Sequence, residues 1–199
     1  MRKNKILILI GFIVVSFNYS CVVVTNLWAP EHFTLKHEDK DTGIGNFINL
    51  NGYYFPVDSN NEINQDILLY SKHERVLFYR NGIVCLPPFY PTMEVYNENY
   101  KKTSMAKTIW GSYSFDEKEK LIHTQTILDL GAMSSMWVVK ETFKIKDSTH
   151  IVLVDRQIDD GKIFEVNMEY EFVEEPNILD FSTNWLLKKK WFWKKGAKK

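Results

Sequence analysis

Short runs of alternating apolar and polar residues, separated by turn residues, dominate the chain from Asn51 to about residue 175. The most regular run is 163–173, in which the apolar positions from Phe164 to Phe172 alternate with glutamate and asparagine. Such alternation predicts strands with one buried and one solvated face. The predicted strands are 52–57, 67–70, 76–80, 83–86, 107–115, 121–128, 136–145, 150–157 and 163–173.

The connections between these strands are short, and they decide between two architectures. Asn81-Gly82 is a two-residue hairpin turn of the type that needs positive φ. Strands in this number form a closed barrel or a two-sheet sandwich, and short hairpins favour the barrel because a Greek-key sandwich needs a long crossover. The sequence therefore predicts an all-β fold, a single antiparallel up-and-down β-barrel of about eight strands.

Two further segments have helical features. Residues 92–104 carry Met93, Tyr96 and Tyr100 at helical spacing, which predicts a short helix or lid over one end of the sheet. Residues 180–199 interleave tryptophan and lysine behind the capping residues Ser182 and Thr183, and they predict a C-terminal helix. This basic aromatic segment either docks on the barrel or, over Trp185 to Lys199, lies on a membrane surface.

The first twenty residues combine a basic start, an apolar stretch from Ile6 to Val15 and a polar stretch that ends in Ser20, just before Cys21. This order resembles a bacterial lipoprotein signal peptide. The resemblance implies cleavage before Cys21, acylation of that cysteine by fatty acids such as palmitate, and a lipid-anchored location in the cell envelope. An uncleaved membrane anchor over 6–24 and an ordinary secretory signal with a chance cysteine are the alternatives.

The predicted organisation has four parts. A signal peptide (1–20) is followed by a polar linker (21–50), a barrel domain (51–175) and the basic aromatic segment (176–199). Such a tethered domain is expected in the cell envelope, lipid-anchored at the outer membrane on its periplasmic or its surface face.

Composition supports a folded domain, and the charged residues are unevenly distributed along the chain. Of the 199 residues, 45% are hydrophobic and 15% aromatic, which favours a packed β-rich fold over disorder. The net charge of zero hides a separation, because three cations precede residue 21 and seven lysines follow residue 187. Residues 21–187 therefore carry 15 basic against 25 acidic groups, which argues against a nucleic-acid partner.

Two short motifs resemble the lipocalin-like, or calycin, group of small barrels. They are Leu50-Asn51-Gly52-Tyr53-Tyr54 and Trp110-Gly111-Ser112-Tyr113. The resemblance implies a barrel that holds a small hydrophobic ligand. The candidate ligand-binding residues are Trp110 or Tyr113, according to register, with Gln125, Trp137 and Glu141. An interior filled by side chains is the alternative, since barrels of this size do either.

Glu141 breaks the apolar face of its predicted strand. A carboxylate there costs several kcal/mol unless it is paired or hydrogen-bonded, so it predicts a buried partner, a ligand or an opening to water. We favour a structural explanation, either a buried pair or a strand end at which the barrel opens to water.

The motifs of familiar catalytic and metal sites are missing from the sequence. The histidines are scattered, the loop from Asp58 to Asn64 lacks the glycine of a calcium loop, and Cys85 has the setting of a small buried hydrophobe. We therefore predict no enzyme activity, no cofactor and no metal. Two functions remain: a lipid-anchored barrel that binds a small hydrophobic ligand, and a ligand-free structural or assembly lipoprotein that contacts an envelope partner.

Overall fold

A single antiparallel sheet of eight strands forms the body of the protein. The computed structural model describes residues 30–57, 75–87, 109–129 and 136–196. The strands are β1 (Gly52–Pro56), β2 (Leu77–Phe78), β3 (Ile83–Leu86), β4 (Ile109–Asp116), β5 (Leu121–Asp129), β6 (Met136–Ile145), β7 (His150–Ile158) and β8 (Ile163–Glu174). Their spatial order, β1-β8-β7-β6-β5-β4-β3-β2, confirms the predicted up-and-down topology.

The two edges of this sheet meet, so that the sheet is a nearly closed barrel. Tyr54 of β1 and Val76, just before β2, form an isolated antiparallel bridge. The Tyr54 N–H donates to the Val76 carbonyl at 2.8 Å, and the Val76 N–H donates to the Tyr54 carbonyl at 2.9 Å. Closure removes the exposed edges that an open sheet would leave.

A β-bulge in β7 changes which side chains face the interior. Leu153 pairs with Phe143 of β6, whereas Asp155 pairs with Thr142 and Arg156 with Glu141. Because β7 has one more residue than β6 across this step, the inward positions change from odd to even numbers. Arg156 therefore shares the interior with Glu141.

One end of the barrel is closed by residues 44–50. They begin with a 3₁₀ turn, Ile44–Asn46, whose Ile44 is fully buried, and Ile48 is also buried in the interior core. The Tyr54 hydroxyl donates to the Ser148 carbonyl at 2.9 Å and accepts from the Asn49 N–H at 3.1 Å. These contacts fix the 44–50 segment across the turn between β6 and β7.

A second core lies outside the barrel, against β2–β5. It joins buried side chains of the sheet to side chains of both flanking segments: Leu77, Cys85, Trp110, Ile127, Phe33, Leu186 and Phe192. Residues 30–50, predicted as part of the linker, therefore pack on the barrel and do not act as a free spacer. Their apolar residues are too few and too irregularly spaced to form a strand or helix pattern, so the sequence did not reveal this contact.

The basic aromatic segment docks on this outer core, which is one of the two alternatives predicted for it. The predicted helix takes the form of three 3₁₀ turns, Phe181–Thr183, Trp185–Lys188 and Lys190–Phe192. Asn184 has an extended backbone, and its side chain accepts the Leu186 N–H, so this local bond competes with a continuous helix.

Several predicted features fall on other parts of the chain. Cys21 with the signal peptide, the strand 67–70 and the helix or lid 92–104 all lie outside the described residues. Within the described ranges, no helix has the length and apolar character required to cross a membrane.

Candidate functional site

The five residues predicted to bind a ligand lie on two different faces of the barrel wall. Tyr113, Trp137 and Glu141 are on the inward face of their strands, as the pairing of Trp137 with Leu128 and of Glu141 with Thr124 shows. Trp110 and Gln125 are on the outward face. The structure therefore brings three of the five to the interior and excludes the other two from it.

Trp110 and Gln125 help to hold the flanking segments, residues 30–50 and the basic aromatic segment, on the outer side of the sheet. Trp110 is fully buried in the outer core. The Gln125 Oε1 atom accepts the N–H groups of Thr34 and Leu35 at 2.8 and 2.9 Å. Both side chains stabilise segments that cover the sheet, which is a structural role.

Tyr113 belongs to the filled half of the interior. Its hydroxyl donates to the Tyr79 carbonyl at 2.6 Å, and its ring meets Phe78 edge to face, with centroids 5.4 Å apart. Phe78 also contacts Phe143, which contacts Tyr170. Burial raises the pKa of Tyr113 above its ordinary value. These rings occupy the half of the barrel next to the closed end.

Glu141 and Arg156 form an ion pair inside the barrel. The Arg156 Nε and Nη2 atoms donate to Glu141 Oε1 at 2.8 and 2.5 Å. Glu141 is 4% exposed and Arg156 is 5% exposed. Burial acts to lower the pKa of Arg156, but the charge and hydrogen bonds of Glu141 outweigh it and raise that pKa. The predicted buried pair is therefore present.

The second carboxylate oxygen of this pair has no hydrogen-bond partner among the residues that the structure describes. Glu141 Oε2 is buried, and no donor among the described residues reaches it. The neighbouring hydroxyl of Thr124 lies 3.4 Å from the Glu141 carbonyl, so this donor is directed at the backbone. A buried carboxylate oxygen normally accepts at least one hydrogen bond, and its absence marks an unused acceptor in the interior.

Apolar side chains lie on the inward face between the pair and the end of the barrel opposite residues 44–50. Leu128, Trp137 and Phe164 lie on the inward face and are only half-buried, in contrast to the fully buried Phe143 near the closed end. The site thus combines one unused acceptor with an apolar rim. Glu141 Oε2 can accept a hydrogen bond from the polar group of a ligand, while the apolar rim covers the ligand's hydrocarbon part.

Arg156 is the functional candidate that the sequence did not single out. It occupies a polar position of the predicted strand 150–157, and the β7 bulge that directs it inward has no distinctive residue. One signal was available: Glu141 required a cation, and Arg156 is the only arginine between residues 81 and 199.

Comparison with known protein families, curated proteins and solved structures finds no match for this chain.

Other reactive groups in the described ranges do not assemble a second centre. No cluster of three or more histidine, cysteine, aspartate or glutamate side chains with metal-binding geometry occurs there. Cys85 is fully buried as predicted, and burial raises the pKa of its thiol well above the ordinary value. A thiol held neutral in this way is a poor nucleophile.

Proposed function

We propose that this protein is an exported lipoprotein, tethered to the cell envelope through Cys21, whose barrel binds a small amphipathic ligand. The observation that carries the proposal is the buried Glu141 Oε2, an acceptor for which the described part of the barrel supplies no donor. The tether is supported by the order of basic, apolar and polar residues before Cys21. The calycin-like motifs support the same kind of barrel.

The ion pair defines the chemistry of the ligand. Glu141 and Arg156 neutralise each other, so a charged headgroup would be buried without a counter-charge, which is costly. A neutral hydroxyl or amide N–H can donate to Oε2 without that cost. The hydrocarbon part of the ligand would then contact Leu128, Trp137 and Phe164, whose exposed apolar area it would cover.

Access to this oxygen requires side-chain movement. Because Oε2 is buried, a ligand reaches it only when the side chains around it move. Changes of this kind are common when an interior site is filled. The ligand is therefore small, in keeping with the limited interior of a barrel of eight strands.

A ligand-free structural role is the second candidate. The packed rings of Phe78, Tyr113, Phe143 and Tyr170 favour it, because they give the closed-end half of the barrel a solid core. In this role the pair would only fix the register of β6 and β7, and the outer surface would contact an envelope partner.

The two candidates differ in a fluorescence titration with N-phenyl-1-naphthylamine, a neutral apolar probe with one N–H donor. We expect the probe to brighten on binding the delipidated full-length protein, and 1-decanol to displace it at lower concentration than decanoate or decylammonium. The double variant Glu141→Leu/Arg156→Met should lose this binding. Both residues are replaced together because removing one partner of a buried pair costs about 3–5 kcal/mol of stability.

The matched control is the exposed pair of Lys146 and Glu169, whose charged atoms are 2.8 Å apart. The variant Lys146→Met/Glu169→Leu should bind the probe like the wild type. Equal probe binding by the interior double variant, or no binding by the wild type, would refute the ligand-binding proposal and favour the structural one.

A further inference from the structure

The basic aromatic segment presents an ordered row of lysines to solvent. Leu186 and Phe192 are fully buried against the barrel, whereas four lysines point away from it. We call these four the basic face: Lys188, Lys190, Lys194 and Lys195. No acidic residue follows Asp180, so residues 181–199 carry these lysines without an aspartate or glutamate among them.

Contacts with the segment 30–50 hold the basic face in place. His37 and Trp193 form a parallel bridge, in which the His37 N–H donates to the Phe192 carbonyl and the Lys194 N–H donates to the His37 carbonyl, each at 2.9 Å. The Lys194 ammonium also donates to the Glu38 carboxylate. The lysines therefore belong to the folded surface, in contrast to a solvated tail.

The opposite side of the barrel is acidic. In the ring of eight strands, β8 lies four places from β4, the strand that the basic aromatic segment contacts. The outward positions of β8 carry Glu165, Glu169 and Glu171. The protein thus has a basic side and an acidic side, directly across from each other.

Half-buried tryptophans border the basic face. Trp185, Trp191 and Trp193 pack partly on the outer core and partly face solvent, and the Lys36 ammonium lies 5.9 Å from the Trp191 ring centroid. Phe181, near the start of the same segment, is 38% exposed. Tryptophan at headgroup level with lysine facing anionic lipid is the composition of membrane-surface segments.

We propose that the basic face docks on anionic lipid headgroups and turns the acidic β8 away from the membrane. This orientation brings lysine to the negative surface and keeps glutamate outside the short range of the surface potential. Each lysine near such a surface strengthens the contact by about fivefold. The inference rests on the proposed tether at Cys21, which keeps the domain near the membrane, and it is independent of any ligand in the barrel.

Lysine footprinting on vesicles tests this orientation with the full-length chain. The protein is floated with vesicles of phosphatidylcholine alone or of an equimolar mixture with phosphatidylglycerol, and acetylation by a lysine-reactive ester is measured at each residue. We expect acetylation of the basic face to slow about fivefold or more on the anionic vesicles only. Exposed lysines elsewhere, Lys118 and Lys144, are internal controls and should react equally on both.

Charge variants add a second readout. Lys188→Gln/Lys190→Gln/Lys195→Gln should abolish the lipid-dependent protection of Lys194, whereas Lys118→Gln/Lys144→Gln/Lys162→Gln should leave it unchanged. High salt should remove the protection in the wild type, because screening weakens surface electrostatics.

The outcomes separate the docking from the tether. A chain that floats on both vesicles without selective protection contradicts the docking alone, and a chain that floats on neither contradicts both. Stronger protection of the same lysines by soluble polyphosphate than by anionic vesicles would also overturn the lipid assignment and indicate a general polyanion site.

Discussion

At the scale of single residues, the interior pair shows how one polar exception in a strand pattern becomes a site. Glu141 departs from the apolar face of β6, and the bulge in β7 brings Arg156 to it. The charge requirement of Glu141 could be predicted from alternation alone. The identity of its partner could not, because a bulge depends on local backbone geometry and leaves the number of apolar residues unchanged.

His37 is a second buried polar residue, and its surroundings make it sensitive to pH. The imidazole is 2% exposed and stacks on Phe192 at 5.3 Å, and neither ring nitrogen has a hydrogen-bond partner among the described residues. Burial lowers the pKa of His37, while the charges of Asp39 and Glu38 oppose this in part. The folded protein therefore favours the neutral ring.

This shift predicts a loss of stability in acid. Because the folded pKa is below the unfolded value of about 6.5, the unfolded chain binds a proton first as the pH falls. The contribution of His37 is thus fully present above the unfolded pKa and is lost as the pH decreases through 6.5 towards the folded pKa. Urea unfolding at pH ~7.5 and at pH ~5 should show a smaller loss for His37→Phe than for the wild type.

The exposed His123 provides the control for this measurement. His123→Phe should retain the pH dependence of the wild type. An unchanged pH dependence in His37→Phe would contradict the assigned role of the buried imidazole.

At the scale of elements, the strands were largely predictable and the flanking segments were not. The predicted ranges 121–128, 136–145 and 163–173 differ from β5, β6 and β8 by one residue at most. Their alternation reflects one buried and one solvated face, which a sequence displays directly. The segment 30–50 and the basic aromatic segment are held mainly by tertiary contacts, such as those of Phe33 and Phe192, and these have no local periodic signature.

The residues of the predicted site differ in the same way. Glu141 stands out because it breaks a pattern, whereas Trp110 and Gln125 are candidates only as an aromatic and a polar residue of predicted strands. The outer core covers the outer side of β4 and β5, so an aromatic residue there is as buried as one inside the barrel. A second apolar layer of this kind makes the two faces of a strand hard to distinguish from sequence.

Docking of the basic aromatic segment should contribute substantially to stability. Phe192→Ala removes a fully buried ring from the outer core, and we expect a loss of about 3–5 kcal/mol in the free energy of unfolding. Phe181→Ala, at a position that is 38% exposed, should cost about 1 kcal/mol or less. Chemical denaturation of both variants measures the difference. Similar small losses for the two would show that the segment is only loosely attached.

At the scale of the whole molecule, the two ends of the barrel differ. Residues 44–50 and the aromatic rings close one end, the Glu141–Arg156 pair lies in the interior, and half-buried apolar side chains border the other end. The outer surface is polarised independently, with lysines beside β4 and glutamates on β8. We propose that a tethered domain with this arrangement contacts the membrane with one side and holds a ligand in its interior.

The central claim is that the interior pair holds a ligand in a lipid-anchored protein. Native mass spectrometry of the protein, expressed from its full sequence and extracted from its own membrane, measures both parts in one spectrum. We predict a polypeptide that begins at Cys21 with added lipid mass, and a further non-covalent mass that is lost in Glu141→Leu/Arg156→Met. A wild-type spectrum without a retained small molecule, or with the same one in the double variant, would contradict the claim.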